Sequence, residues 1–400
     1  MSDLPADLPV YVTPTLDPVE TEVLRLIDEL RDNLHYRVTQ PRRWLGTLRR
    51  MAFARAVQGS NSIEGYNASL DDVAAAVEGE PTLDASEETQ LALAGYRDAM
   101  TYVLQIAEDE SAAIDEGMVK ALHFMMLKHD LSKDPGRWRP GYIAVRNDAT
   151  GRIVYEGPDA DSIPDLVDSM LSMLRKTDAP ALIRAAMAHL NLVMIHPFRD
   201  GNGRMARCLQ TLVIARERIN VPVFSSVEEY LGRNTQDYYG VLAEVGGGAW
   251  HRENGARPWI RFMLTAHYRQ AKTHLRRIEE TERLYAECFE LVALHRLADR
   301  CTVGLSDAAL GLRLRRGSYR SSVESSMGEQ ITELTATRDL QAMVRVGLLT
   351  PRGETRGRYY VAAPSLIGLR EAIRTSRPQR EEYDPFTVAR QGLQLSLDTD

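Results

Sequence analysis

Apolar residues recur at three- and four-residue spacing along most of this 400-residue chain, which predicts a succession of amphipathic helices. After an extended arm rich in Pro, Asp and Thr over residues 1–17, helices are predicted from Pro18 to about Leu34 and from about Pro41 to Val57. The first buries Val23, Leu24, Ile27 and Leu30; the second buries Trp44, Leu48, Met51 and Ala52. Residues 68–84 read as a loop-rich connection with one short helix. Further helices are predicted over Glu87–Ile106, Asp115–Lys128, Ile163–Leu174 and Ala179–Ile195. The rhythm changes at residues 141–156, where two short alternating runs flank Asn147-Asp148-Ala149-Thr150-Gly151, a hairpin pattern.

Downstream, Met205, Leu209, Leu212 and Val213 carry a helix, and Val221-Pro222-Val223 interrupts the pattern. Ser226–Leu231, Thr235–Val245 and Trp259–Leu275 are the next candidates, followed by a separate linking helix within residues 276–298. Residues 329–340 and then 344–349 read as helix-turn-helix, and residues 353–360, with Arg352, Arg356 and Arg358, as a two-stranded wing. The last stretch, residues 371–400, is a polar tail, mobile or packed.

The pattern leaves one non-periodic stretch between two apolar helices: His196-Pro197-Phe198-Arg199-Asp200-Gly201-Asn202-Gly203-Arg204-Met205-Ala206-Arg207. Pro197 disfavours the right-handed helical region for His196, so the first helix stops there and the imidazole is left at a helix end. Gly201 and Gly203 allow close approach of backbone to a ligand. The N–H groups of this turn and the positive end of the second helix suit an anion. Arg204 and Arg207, three apart on one helical face, add forked donors for phosphate oxygens. Asp200 is a hard oxygen ligand suited to Mg²⁺ beside a polyphosphate. His196 titrates near neutrality and can take a proton from a hydroxyl. Together these groups point to phosphoryl or nucleotidyl transfer. A second short motif, Ser60-Asn61-Ser62-Ile63-Glu64-Gly65, puts Ser60 and Glu64 on one face if it forms a short helix, with Gly65 as its stop.

Composition narrows the class. A content of 44% hydrophobic and 26% charged residues is that of an ordinary globular protein with room for two or three domains. The net charge of −7 argues against a global attraction to nucleic acid or membrane. Residues 301–370 differ, with ten arginines against six acids, a net of +4 that leaves −11 for the rest. Three cysteines, Cys208, Cys288 and Cys301, fit neither a disulfide framework nor a zinc site. No signal peptide or membrane span is evident, so the expected location is cytoplasmic.

The stretch from His196 to Arg207 resembles the signature of the Fic family, His-Pro-Phe-x-(Asp/Glu)-Gly-Asn-Gly-Arg-x-x-Arg, with every fixed position present. Ser60–Gly65 resembles the family's inhibitory motif, (Ser/Thr)-x-x-x-Glu-(Gly/Asn), and residues 301–370 resemble the winged-helix module appended to many members. The resemblance implies a mainly α fold: a Fic-type helical domain with a β-hairpin flap, plus a C-terminal winged-helix domain. The boundaries expected are an N-terminal helical region with the inhibitory motif (1–115), a Fic core (116–275) with flap 141–156 and signature 196–207, a linking helix (276–298), a winged-helix module (299–370) and a tail (371–400).

By the same resemblance the chain is a protein adenylyltransferase moving AMP from ATP to a Tyr, Thr or Ser hydroxyl of a target protein, itself included. His196 is then the base, Asp200 the ligand of Mg²⁺ or Mn²⁺, and Gly201, Asn202 and Gly203 the anion hole. Arg204 and Arg207 hold the outer phosphates, and Phe198 anchors the loop. Glu64 inhibits by pairing with Arg207, and the flap holds the target by strand addition. Tyr230, Asn234, Tyr238 and Tyr239 fall where members line the adenine pocket. Removal of AMP at the same site, with Glu64 placing a water, is an alternative. A DNA-binding regulator with a Fic sensor is another; DNA is the less favoured partner of the winged helix, and a homodimer is compatible with the family.

Overall fold

The structure, a computed structural model, describes residues 9–40, 42–147, 150–176, 178–216, 224, 226–354, 357–376 and 384–397. The start of the expected arm (1–8), Asp148 and Ala149 of the hairpin turn, Val221-Pro222-Val223, Arg356, and tail residues 377–383 and 398–400 lie outside the described residues.

The fold is mainly α, as its patterning predicts. Its centre is the pair α7 (Ala181–Ile195) and α8 (Asn202–Ala215), both buried on nearly every side and packed against each other. Around them lie α1 (Pro18–Thr39), α2 (Leu45–Ile63), α3 (Leu70–Val77), α4 (Glu87–Ile106), α5 (Glu116–Leu127) and α6 (Ile163–Lys176). Four of these helices start where a short polar side chain accepts a backbone N–H: Asp17 for α1, Ser69 for α3, Ser86 for α4 and Asp115 for α5. At α1 the bond is reciprocal, since Glu20 returns one to Asp17. The arm is tied to α7: Tyr11 donates its backbone N–H to Asn191 Oδ1 at 2.9 Å, and Asn191 Nδ2 donates to the Tyr11 carbonyl at 3.0 Å.

Three helices close the core: α9 (Glu228–Arg233), α10 (Thr235–Gly246) and α11 (Arg257–Leu294). Here the expectation of two helices, ending in a linker over 276–298, is corrected. The chain between Trp259 and Val303 holds no glycine or proline, so nothing breaks α11, and it runs 38 residues without interruption. Its first half buries Trp259, Ile260, Met263 and Leu264 in the main core. Its last turns bury Leu284, Cys288 and Val292 in a second core belonging to the C-terminal unit.

That unit comprises α12 (Cys301–Ala309), α13 (Arg316–Met327), α14 (Glu333–Arg345), a hairpin of two strands (Leu349–Arg352 and Tyr359–Ala362) and α15 (Pro364–Thr375). Residues 344–349 are not a second recognition helix, as the helix-turn-helix reading had it. Helix α14 stops at Arg345, Gly347 takes φ +75°, and Leu348 and Leu349 turn into the strand. The tail is not uniformly loose: α16 (Pro385–Leu397) packs against α1 and buries Phe386 and Ala389.

Candidate active site

The Ser60–Gly65 motif is not a separate short helix but the last turn of α2. Glu64 caps it, donating its N–H to the Asn61 carbonyl, while Gly65 donates to the Ser62 carbonyl and reverses the chain at φ +85°. This turn faces the loop from Ile195 to Asn202.

That loop is held in one shape by several residues. Barred from the right-handed helix by Pro197, His196 takes the left-handed conformation (φ 51°, ψ 56°) rather than an extended one. Arg139, buried, compensates for this uncommon geometry. Its Nε donates to the His196 carbonyl at 2.8 Å and its backbone N–H to the Pro197 carbonyl at 2.9 Å. The other end of the same guanidinium bonds the carbonyls of Gly141 and Pro158, at the two feet of the hairpin. One side chain thus joins the loop to the hairpin.

Phe198 is fully buried and stacks on His123, with ring centroids 3.6 Å apart. Gly136 N–H donates to His123 Nδ1, so the ring carries its proton on Nε2 and donates it to the Asp200 carbonyl at 2.9 Å. Burial lowers the pKa of His123 to about 4, which keeps it neutral. The side chain of Asn202 bonds both backbone groups of Phe198, at 2.9 Å each. The carboxamide of Asn202, a residue the sequence places in an anion hole, closes the loop. Gly201 takes φ +75°, and a Cβ there would meet Leu127 Cδ1 at 3.0 Å, so both conformation and space require glycine.

His196 Nδ1 lies 3.1 Å from the Val193 carbonyl, which can only accept, so the proton sits on Nδ1 and Nε2 is left as a base. Desolvation lowers its pKa below the usual histidine value. Asp200 accepts from the Gly201 N–H at 2.7 Å and pairs with Lys133 at 3.3 Å. Burial acts to raise its pKa, but Arg204 and Lys133 outweigh that and hold it below the usual carboxylate value. The described residues contain no group of three or more His, Cys, Asp and Glu able to hold a metal by themselves. A single ionised carboxylate beside a polyphosphate is nonetheless the donor set Mg²⁺ prefers, because that ion keeps waters and takes few protein ligands.

Arg204 and Arg207 are both about 1% exposed. Arg204 lies over the Tyr66 ring at 5.1 Å, just after the α2 turn. Arg207 donates Nε to Ser60 Oγ at 2.8 Å and Nη2 to the Ser60 carbonyl at 3.0 Å and to Glu64 Oε1 at 2.6 Å. Desolvation opposes its charge, but the Glu64 carboxylate prevails and raises its pKa. A Cβ on Gly203 would collide with Glu64 Oε1, which places that carboxylate over the first turn of α8. Arg204 Nε and Nη1 and Arg207 Nη1 are buried with no hydrogen-bond partner among the described residues. Buried cationic donors of this kind can donate further hydrogen bonds to an anion.

The hairpin beside the loop pairs β1 (Ala144–Arg146) antiparallel with β2 (Ile153–Glu156). Tyr155 pins it, donating its hydroxyl to the Met194 carbonyl at 2.6 Å, and Glu156 N–H bonds the Gly248 carbonyl at 3.0 Å. Ile153, Val154 and Tyr142 are exposed on it. Of the four residues expected near an adenine, Tyr238 is core, its hydroxyl 3.0 Å from buried His189, and Asn234 caps the Tyr230 carbonyl. Tyr239 reaches the site's edge, donating to the Ile63 carbonyl at 3.1 Å beside Glu64. Sequence reasoning missed Arg139, His123 and Lys133: His123 sits within a predicted helix, and Lys133 and Arg139 lie in a turn-rich stretch among other polar residues. An arginine or histidine in an otherwise apolar or turn-rich stretch was the one available signal.

The model of the Fic/DOC family matches residues 113–214. A protein adenylyltransferase Fic of Nematostella vectensis is 27% identical over 274 residues, 66% of this chain and 58% of that protein. Protein adenylyltransferase fic-1 of Caenorhabditis elegans is 26% identical over 290 residues, 69% of this chain and 55% of the relative. The chain thus spans somewhat over half the length of these curated relatives. Among solved structures, a Fic family protein of Desulfovibrio desulfuricans superimposes with a TM-score of 0.54 at 22% identity, covering 92% of this chain and 99% of its own. A Fic domain-containing signaling protein of Bacteroides thetaiotaomicron gives 0.53 at 19% identity, covering 65% and 97%.

Proposed function

From the match of residues 113–214 to the Fic/DOC family and the likeness to protein adenylyltransferases, we propose that this chain is a protein adenylyltransferase held in check by its own Glu64. The hydroxyl oxygen of a target Tyr, Thr or Ser attacks the α-phosphorus of ATP. An O–P bond to the target forms, the bond from the α-phosphorus to the bridging oxygen breaks, and pyrophosphate leaves with that electron pair. The hydroxyl proton goes to His196 Nε2, the nitrogen left free by the bond from Nδ1 to Val193.

The observation that carries the reading is the set of unsatisfied guanidinium donors of Arg204 and Arg207 at the start of α8, on the loop that carries His196. With the N–H groups of Asn202 and Gly203 they would bind the phosphates and draw charge from the leaving group. Asp200 would hold Mg²⁺ or Mn²⁺, which supplies charge neutralisation on the phosphates when bound. The target segment would add to the edge of β1, since the end of β2 is already bridged at Glu156 to Ala249.

The division of the chain into an N-terminal regulatory part, a catalytic core and a winged-helix module is part of this proposal. Three helices followed by a β-hairpin support the winged-helix reading of residues 299–370. Helix α14, which would be the recognition helix, balances Arg338 and Arg345 with Glu333 and Asp339, so it offers no cationic surplus for DNA. No helix among the described residues is long and apolar enough to cross a membrane.

The reading is tested by incubating purified protein with α-labelled ATP and lysate from the native host. Label that enters protein from α-labelled but not γ-labelled ATP supports AMP transfer. Label from the γ-position alone would assign the site to phosphate transfer.

A further inference from the structure

We propose that Asp307, a residue of the C-terminal unit, is a positioning residue for Glu64 and acts along the whole length of α2. The inference rests on the reading of Glu64 as an inhibitory group.

Helix α2 is anchored by polar contacts at both ends. Near its start, Thr47 Oγ1 donates to Asp307 Oδ1 at 2.6 Å and Arg50 Nη2 donates to Asp307 Oδ2 at 2.7 Å. Arg50 Nη1 also donates to Ser322 Oγ of α13 at 2.6 Å. Asp307, in α12, is almost fully buried. At the other end, Ser60 and Glu64 hold Arg207. From Thr47 to Glu64 is about 25 Å at 1.5 Å per residue, spanned by an uninterrupted hydrogen-bonded helix.

The packing between these anchors supports the coupling. On the side facing α9, Gly59 lies against the backbone of Glu228 and Glu229, and Gly232 lies against Gly59, with no room for a Cβ at either glycine. With Leu48, Ala52, Ala54 and Val57 buried in the cores, α2 sits as one packed rod, and Asp307 supplies charge-assisted bonds at one of its ends. Next to it, Arg313 binds Asp72 of α3 at 2.7 Å, so the C-terminal unit grips both helices that flank the Glu64 turn. Any ligand or partner that shifts the C-terminal unit would be sensed at Arg207.

The test uses full-length Asp307→Asn, which keeps the shape and removes the charge. Three quantities are compared with the parent: amide hydrogen exchange over residues 45–52 and 57–66, affinity for a fluorescent ATP analogue, and labelling from α-labelled ATP. Exchange should rise several-fold at both ends of α2, and nucleotide should bind several-fold tighter. Labelling should rise toward that of Glu64→Gly, and Asp307→Asn should add nothing to nucleotide affinity in the Glu64→Gly background. Faster exchange confined to residues 45–52 with unchanged nucleotide affinity would overturn the proposal. So would an equal gain in affinity with and without Glu64. Thr47→Val, which removes one of the two bonds, serves if Asp307→Asn does not fold and should show the same signs at smaller size. If no variant labels, Glu64→Gly included, the transferase reading fails, while exchange and nucleotide binding still decide the role of Asp307.

Discussion

Arg207 Nη2 lies 2.6 Å from Glu64 Oε1, although 143 positions separate the two residues. The arginine is about 1% exposed on its side chain and the glutamate 26%, so the pair straddles the boundary between core and cleft. A guanidinium fork has one best partner at a time. While Glu64 holds it, a phosphate must displace a carboxylate that is already charged, hydrogen-bonded and seated at a helix start.

Replacing the proposed base isolates the chemistry from binding. His196→Ala removes no phosphate contact, so ATP affinity should be nearly unchanged while transfer falls about 10²–10⁴-fold. The pH profile gives a second check. Only the neutral ring can accept a proton, and desolvation lowers its pKa. Activity should therefore persist somewhat below pH 6.5 and fall as the pH drops through the lowered value. Equal rates in mutant and parent would remove His196 from the mechanism.

The carboxylate beside it should govern the response to metal. Transfer should require Mg²⁺ or Mn²⁺, and Asp200→Ala should raise the metal concentration giving half-maximal rate. The ion pair with Lys133 at 3.3 Å must yield when a cation binds, so Lys133→Ala should lower that concentration. Undiminished activity in excess chelator would refute the assignment.

Loop architecture predicts a stability effect distinct from any catalytic one. Asn202→Ala strands two backbone groups of buried Phe198, each a loss of about 1–3 kcal/mol if no water replaces the amide. Thermal unfolding of Asn202→Ala should come several degrees below the parent even without nucleotide. An unchanged midpoint would show that the loop does not need this side chain.

Acid should destabilise the fold through histidines it keeps neutral. Burial lowers the pKa of His189, His267 and His274 to about 3 and that of His123 to about 4. Unfolded, each would protonate near pH 6.5, so below that pH the unfolded state binds more protons. Stability should be full above about pH 7 and fall as the pH drops from 6.5 toward 4, by roughly 1.4 kcal/mol per histidine per pH unit. Urea unfolding between pH 4.5 and 7.5 measures the slope. A flat profile there would mean that these rings protonate without unfolding.

Much of this was legible in the sequence, for reasons that can be named. The Ala181–Ile195 and Asn202–Ala215 helices follow from apolar periodicity, and the loop between them from one proline and two glycines. Ser60 and Glu64 share a face because four residues make about one turn, which is enough for both to meet Arg207. Three features were not legible. The continuity of α11 was signalled by the lack of glycine and proline between Trp259 and Val303, but that two cores claim its opposite ends is visible in no local window. Arg139 matters through carbonyls of His196, Gly141 and Pro158, and backbone acceptors leave no trace in side-chain identity. That the Asn202 side chain bonds its own loop was not legible either, because an asparagine in a glycine turn can serve a ligand or its own backbone.

The most direct measurement is the rate at which Glu64→Gly, compared with wild type, incorporates label from α-labelled ATP into itself and into added protein. The change removes the carboxylate that holds Arg207 and leaves its bonds to Ser60 in place. Wild type should label weakly and Glu64→Gly at least ten-fold faster, with Glu64→Asp between them, the size expected for a coupling of about 1–3 kcal/mol. Glu64→Gly combined with His196→Ala should be silent. A folded, ATP-binding Glu64→Gly protein that labels no faster than wild type would contradict the account.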